Sequence, residues 1–330
     1  MPRMHAIRQH EHGGPEVLRY EEVPDPTPGP GQVRIRVEAI GVHLLDTSIR
    51  QGTSFGPLPP PELPMTPGRE VAGVVEELGA DADASWSGKR VVVHLGAASG
   101  GYAELAVADQ DALFPLADHV SATEAVAMVG TGRTALGILE AAAITPDDVV
   151  LITAAAGGLG ALLVQAARTA GAFVVGVAGG DDKVQLAKDL GADIAIDYKA
   201  EDWAERVRSE LDSRGVTLAL DGVGGAIGRA AFELVAPGGR MWLYGWSSGE
   251  PMPLSTEDLF ASSVTVSAAI GPRMLNRPGG IRGLAQQALD ELAEGRWHPL
   301  VNPPFKLAEA ADAHRALASR DTVGKVVLIP

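Results

Sequence analysis

Gly157, Gly158 and Gly160 stand three alanines after an apolar run, Val149-Val150-Leu151-Ile152-Thr153. Such residues do chemistry with backbone rather than side chain. Without Cβ atoms, amide N–H groups can close on phosphate oxygens, and a helix beginning there adds the positive end of its dipole. Gly160 suits close packing of that helix on the strand. Ala155 occupies the place of the first glycine in the usual fingerprint, and Leu159 completes the turn. A turn of this kind alone can be an ordinary tight turn. The buried-type strand before it and the unbroken helical pattern over 161–170 point to a site for a dinucleotide's pyrophosphate.

The elements that must position this turn follow from periodicity. From 148 to 268 short β-rich runs alternate with helical ones, as in a doubly wound parallel sheet. The strands are expected at 148–153, 173–178, 193–196, 216–221, 240–244 and 264–268. The helices are expected at 158–170, 182–190, 200–211 and 225–235. The first stretch of the chain, to residue 121, reads instead as alternating strands such as Val33-Arg34-Ile35-Arg36-Val37 and Val71-Ala72-Gly73-Val74-Val75. Proline marks its joins, in Pro24–Pro30 and again from Gly56 to Gly68, which is either the lip of a substrate pocket or a stiff surface crossing. A helix follows at Ile281–Ala293, stopped by Gly295, and the chain ends as a strand, Val326-Val327-Leu328-Ile329. The pattern implies a nucleotide domain, 122–268, inserted into a β-rich domain built from 1–121 and 269–330.

Composition narrows the classes. The chain of 330 residues has no cysteine, which removes disulfides, iron–sulfur clusters, thiolate nucleophiles and cysteine-ligated zinc. A formal net charge of −15 argues against a nucleic-acid partner. No apolar run has the length a bilayer requires, and the first residues lack an apolar signal core. A soluble, cytoplasmic protein is expected.

These residues resemble the medium-chain dehydrogenase/reductase superfamily, and within it the zinc-free quinone oxidoreductases. The resemblance is carried by His12–Leu18, Pro28–Val33, Gly41–Asp46, Pro67–Val75, Ala154–Gly160, Leu190–Asp193, Asp221–Gly225 and Gly324–Leu328, in family order along nearly the whole chain. It implies a Rossmann-type sheet inserted into a GroES-like catalytic domain. Zinc-dependent relatives carry cysteine near His43 and histidine where this chain has Arg69. His43 and Glu70 alone make a poor metal site, so no metal is expected.

An NAD-preferring site places an acid at the end of the second strand; here that position is Ala178, followed by Gly179 and Gly180. The resemblance implies that Lys183, Tyr198 and Arg320 surround a 2′-phosphate, so NADPH is the expected cofactor. Taken singly, Lys183 could equally be a solvated helix residue and Tyr198 a packed strand end. Asp181 and Asp182 would oppose the phosphate unless they point away. The resemblance further places Val223, Tyr244, Gly245 and Ser247 along the cofactor and Thr131 near the nicotinamide, although Thr131 could instead cap a helix.

Catalytic expectations rest on departures from the pattern. His43 stands where quinone oxidoreductases usually have asparagine, beside a retained Asp46, and imidazole can donate a proton near neutral pH. Arg133 replaces a commonly aliphatic residue and could orient an anionic substrate. The plainer alternatives are that His43 satisfies a buried polar neighbour and that Arg133 pairs with Glu124, Glu140 or Glu70. The expected substrate is a small electrophile, a quinone or an enone. An enoyl or 2-alkenal reductase using His43 as acid, and an NADPH-binding protein with little turnover, are the rivals. Relatives dimerise through edge strands, which makes Val264–Ala268 either the seam of a homodimer or an ordinary interior strand.

Overall fold

Polar and apolar residues alternate in the first part of the chain because its strands have one wet face, and the strands fall where that alternation places them. A computed structural model describes residues 2–53, 61–96 and 99–330. β1 (Arg3–Gln9) and β2 (Leu18–Pro24) form an antiparallel pair. Next come β3 (Gln32–Val42), the short helix α1 (Leu44–Arg50), β4 (Glu70–Leu78), β5 (Arg90–His94), β6 (Leu105–Asp109), β7 (Phe114–Pro115) and α2 (Ala122–Ala127). The proline-rich segment that begins at Gly56 lies outside the described residues as far as Pro60. Beyond it Met65 exchanges two backbone hydrogen bonds with Gln9 of β1.

The second part reads as continuous apolar runs because both faces of its sheet are covered. A π-helical turn, Met128–Gly132, leads into α3 (Arg133–Ala142). Then β8 (Val149–Thr153), α4 (Gly158–Thr169), β9 (Phe173–Ala178), α5 (Asp181–Asp189), β10 (Ile194–Asp197), α6 (Trp203–Leu211), β11 (Val216–Asp221), α7 (Gly225–Leu234) and β12 (Val235–Leu243) alternate strictly. α8 (Thr256–Ser262), β13 (Thr265–Ala268), α9 (Pro272–Leu275) and α10 (Gly280–Ala293) follow, and β14 (Phe305–Lys306), α11 (Ala310–Ala318) and β15 (Val326–Ile329) end the chain.

Two compact units result: one runs through Gly130 and resumes at Ala288, the other is Thr131–Gln287. Residues 122–130 belong to the first because α2 packs on β3 and β4. Residues 269–287 begin in the second, where Met274 lies against Gly137 and Arg277 pairs with Glu140. In the first unit the strand order is β14-β15-β3-β4-β5-β7, with β6 on β3, around a core that includes Val33, Ile35, Val91 and Tyr102. In the second all pairings are parallel, in the order β10-β9-β8-β11-β12-β13.

Two expectations change. β12 starts at Val235 rather than 240: its register on β11 shifts after the Val216–Val235 pair, where Pro237 has no N–H to give and Gly239 passes close to the Thr217 carbonyl. The run at 264–268 is not an interior strand. β13 ends the order and pairs with β12 alone among the described strands.

Candidate active site

The carboxyl ends of parallel strands share one edge, and ligands of open α/β sheets bind there, where the strand order reverses. β8 and β11 are the neighbours at that reversal. All five residues of β8 are buried, and the chain then turns through Ala154, which takes a positive φ of 50°. Gly157 is the N-cap of α4, extended and with no side-chain cap, so the first amides of a twelve-residue helix are left to an external anion. A Cβ on Gly160 would overlap the Ala154 carbonyl, the close helix–strand approach expected of that glycine. Ala155 in place of glycine has a local reason. Its methyl is buried, and across from it on β9 stands Gly176, where a Cβ would come within 3.1 Å of the Ala155 Cβ. Leu159 lies in the first turn of α4.

β9 ends at Ala178, which is buried, and no carboxylate stands at that position. Gly180 has a φ of 99° with no atom within 4 Å of where its Cβ would be, an open and permissive turn. Its amide donates to Asp197 Oδ1 at 2.9 Å, and the Tyr198 ring lies against Gly179. Lys183 sits in the first turn of α5, half-buried, whereas Asp181 and Asp182 are exposed. Structure therefore gathers Gly180, Lys183 and Tyr198 around one strand end. Arg320 belongs to the other unit, exposed after α11 with a φ of 60°.

The turn after β11 is tied down by one fully buried carboxylate. Asp221 accepts from the Thr153 hydroxyl at 2.7 Å and from the Val223 and Gly224 amides at 3.0 and 3.1 Å. Val223 is buried beneath this turn. Tyr244, Gly245 and Ser247 close on the same turn: the Tyr244 hydroxyl donates to the Thr153 carbonyl at 3.3 Å, Gly245 lies against Gly222, and the Ser247 amide donates to the Gly222 carbonyl at 3.0 Å. Burial, then the Asp221 charge, pushes the Tyr244 hydroxyl up, so it stays protonated. Thr131 is buried within the π-helical turn, an irregularity that recurs at functional sites. Arg133, half-buried, opens α3. Of the carboxylates weighed as its partners, Glu140 is forked by Arg277, Glu124 closes a capping box with Ser121, and Glu70 holds His43 and Lys325.

His43 follows β3 and is the N-cap of α1. Its amide donates to Asp46 Oδ2 at 2.8 Å, and the same oxygen accepts from the Tyr102 hydroxyl at 3.1 Å. Behind Tyr102 lies His314, fully buried, with Nε2 at 3.0 Å from the Tyr102 hydroxyl and Nδ1 at 3.0 Å from Arg50 Nη1. Asp46 is thus engaged in holding the first turn of α1, with Arg69 Nε 3.8 Å away. Burial, then the Asp46 charge, raises the Tyr102 hydroxyl well above its ordinary range.

The His43 ring meets a second group. Its Nε2 lies 2.7 Å from Glu70 Oε2, and Lys325 Nζ lies 2.7 Å from the same oxygen and 2.9 Å from Nε2. Burial pushes the Glu70 carboxyl up, but His43 and Lys325 outweigh it and hold the group well below the usual carboxylate range. The sequence names Glu70 beside His43 as a poor metal pair and as one possible partner of Arg133, and gives Lys325 no role. A lysine directly before the buried run Val326-Val327-Leu328 was the available signal. Among the described residues no group of three or more His, Asp or Glu is placed to hold a metal.

Comparison with known proteins bears on the fold and the family. A family model described as alcohol dehydrogenase GroES-like domain matches residues 29–118, and one described as zinc-binding dehydrogenase matches residues 158–292. A 2-haloacrylate reductase from Burkholderia is 35% identical over 97% of each chain. The chain belongs to the medium-chain dehydrogenase/reductase superfamily, in its quinone oxidoreductase-like family. Its Rossmann-like sheet and GroES-like domain have the architecture of that superfamily. Among solved structures, a mycobacterial protein in complex with NADPH superposes with a TM-score of 0.86 at 35% identity, over 99% of this chain and 100% of that one. Escherichia coli quinone oxidoreductase, also in complex with NADPH, gives 0.87 at 30% identity with the same coverage.

Proposed function

We propose that this chain is an NADPH-dependent, metal-free reductase that transfers hydride to quinones or related conjugated carbonyl compounds. The observation that carries the cofactor choice is the end of β9. An acid there would accept from ribose hydroxyls and repel a 2′-phosphate; Ala178 does neither, and Gly180 leaves room beside Lys183 and Tyr198. The Gly157 amide is spent on the Ala154 carbonyl, and the first amides of α4, beginning with Gly158 and Leu159, suit the pyrophosphate; the turn held by Asp221 suits the nicotinamide half, with Thr131, Val223, Tyr244, Gly245 and Ser247. Lys183, Tyr198 and Arg320 are the residues we assign to the 2′-phosphate. The two NADPH-bound structural relatives support this reading.

When bound, the dihydronicotinamide supplies the hydride; the protein supplies position and electrostatic help. A reduced quinone leaves as an anion that solvent can protonate. For an activated alkene the acceptor needs a proton after hydride arrives, and His43 is the group we assign to deliver it. Asp46 fixes the backbone turn that presents His43. The 2-haloacrylate reductase among the relatives favours a second reading, in which the substrate is a conjugated carboxylic acid and Arg133 orients its charge. The edge position of β13 supports a homodimer formed through that strand, and the protein is proposed to work in the cytoplasm.

The test is a panel of quinones, enones, enoyl thioesters and 2-substituted acrylates, each followed by NADPH absorbance, beside equilibrium binding of NADPH and NADH. Turnover of a conjugated acceptor with NADPH preferred is expected. Tight NADPH binding without oxidation by any acceptor would leave a non-catalytic binding protein.

A further inference from the structure

Four neighbouring strands bring the Glu70 cluster together. Val42 at the end of β3 pairs with Val326 of β15, Gly41 pairs with Glu70 at the start of β4, and Glu70 pairs with His94 at the end of β5. The strand ends therefore deliver an imidazole, a carboxylate and an ammonium to one point. The carboxylate has 0% exposure and the ammonium side chain 4%, while the His43 side chain keeps 23%.

The space is shaped for these groups. A Cβ at Gly41 would overlap Glu70 Oε2 and come within 3.0 Å of Lys325 Cε, and a Cβ at Gly130 would overlap Glu70 Oε1. Lys325 is also fixed through its backbone: its amide donates to the Leu300 carbonyl at 2.7 Å, and its carbonyl accepts from the Asn302 amide at 2.9 Å. Gly324 before it takes a φ of 55°, where a side chain would meet the Leu300 carbonyl. The ammonium is delivered to a defined place rather than reaching it by chance.

Donor chemistry orders the contacts. Lys325 Nζ can only donate, and a carboxylate oxygen can only accept. His43 Nε2 lies 2.7 Å from Glu70 Oε2 and 2.9 Å from Lys325 Nζ and can serve only one of them; the shorter contact, to an anion, assigns its hydrogen to Glu70, and the ammonium gives its own to the same oxygen. One carboxylate oxygen thus receives both donors, and the His43 ring is held with hydrogen on Nε2, so it delivers a proton to substrate only through Nδ1 and only as imidazolium. A buried carboxylate is tolerated only when its charge is matched, and one imidazole of changeable charge matches it only in part. Among the described residues His94 also lies near the ring, 6.5 Å away between centroids, and Asp46 accepts from the His43 amide.

We propose that Lys325 is a positioning residue for His43: its ammonium compensates the Glu70 carboxylate permanently, so that the carboxylate holds the imidazole by Nε2 in one orientation and one tautomer. Lys325 acts through Glu70 and does not touch substrate. The proposal rests on the reading of His43 as a group facing the substrate, and its test separates the two.

The experiment is ¹H–¹⁵N spectroscopy of the histidine rings in the full chain without cofactor or substrate, with His43 assigned against H43N, followed by turnover with whichever acceptor the panel finds. The wild type is expected to show a single, downfield, slowly exchanging Nε2–H for His43. K325M should broaden or double that signal, E70Q should move it upfield, and K325R should keep it. In turnover, K325M should lose about tenfold or more in kcat with the NADPH KM within about twofold, as a displaced group near the chemistry would, and K325R should recover most of the rate. Wild-type ring signals in both K325M and E70Q would overturn the proposal. If K325M does not fold, E70Q, which keeps the shape and removes the charge, decides it alone. The ring signals need no substrate, so their presence in a protein that reduces nothing would sink the functional reading and leave this one standing.

Discussion

Arg50 Nη1 lies 3.0 Å from His314 Nδ1, and that contact fixes which nitrogen of a buried imidazole carries the proton. Guanidinium only donates, so Nδ1 accepts and the hydrogen resides on Nε2, which gives it to the Tyr102 oxygen. Tyr102 then donates to Asp46, and Asp46 receives the His43 amide. Every hydrogen in the chain has one direction.

This directionality predicts an acid-sensitive fold. Burial, with Arg50 adding to it against the pull of Asp46, brings His314 down to about 4 from an ordinary 6.5. A depressed value means that above pH 6.5 both folded and unfolded chains hold the ring neutral and nothing is lost. As the pH falls from 6.5 to 4 the unfolded chain takes up a proton that the folded one refuses, and stability drops. Near pH 4.5 the loss is about 2–3 kcal/mol, at about 1.4 kcal/mol per unit of displacement. Urea unfolding at pH 7.5 and 4.5 measures it. H314Q, whose amide can accept from Arg50 and donate to Tyr102, should flatten the difference, and an equal pH response in wild type and H314Q would contradict the assignment.

Cofactor choice should depend on Lys183 and Arg320. Two cations on a 2′-phosphate give charge-assisted hydrogen bonds of about 1.5–3 kcal/mol each before compensation. The K183A/R320A double variant should weaken NADPH by about two orders of magnitude and leave NADH within about twofold. Calorimetric titration with both nucleotides decides it, and equal losses for the two would remove the 2′-phosphate assignment.

Substrate class separates the roles of His43. Quinone reduction leaves an anion that water protonates, so H43A should keep quinone turnover within a few-fold. Reduction of an activated alkene needs a delivered proton, and there H43A should lose about 100-fold in kcat/KM, the lower range for a general acid. Parallel losses on both substrates would assign His43 to positioning alone.

What the sequence made legible was governed by local spacing. The glycine turn, the strands from β8 to β11 and the missing acid at Ala178 all lie within single βα units, where periodicity and turn chemistry act over a few residues. The Lys325–Glu70–His43 cluster was not legible in the same way. Its members are 282 residues apart at the extremes, and they meet because β15 returns to pair with β3. The Arg50–His314 contact spans 264 residues for the same reason, through α11. Asp46 was legible as the acid the family pattern retains beside His43, but the hydrogen bonds by which it ties down the turn that carries His43 were not. Even β12, with its proline and two glycines, was read five residues short, because a bulge hides a strand's start from any alternation rule.

The edge of the parallel sheet carries the last prediction. β13 runs Thr265-Val266-Ser267-Ala268, pairs on one side with β12, and has neither charge nor proline to discourage a further strand. Edges left in this state invite pairing, and most monomers blunt them. Just before it, Phe260 on α8 is 90% exposed, which a lone chain has no reason to keep. A second copy joined edge to edge would use both features under a two-fold axis. Sedimentation at micromolar concentration should therefore give a dimer. A268P, which removes an N–H on the open edge because the Ala269 amide beside it faces β12, combined with F260E should shift it to monomer while leaving NADPH affinity unchanged. A monomeric wild type at that concentration would end the idea.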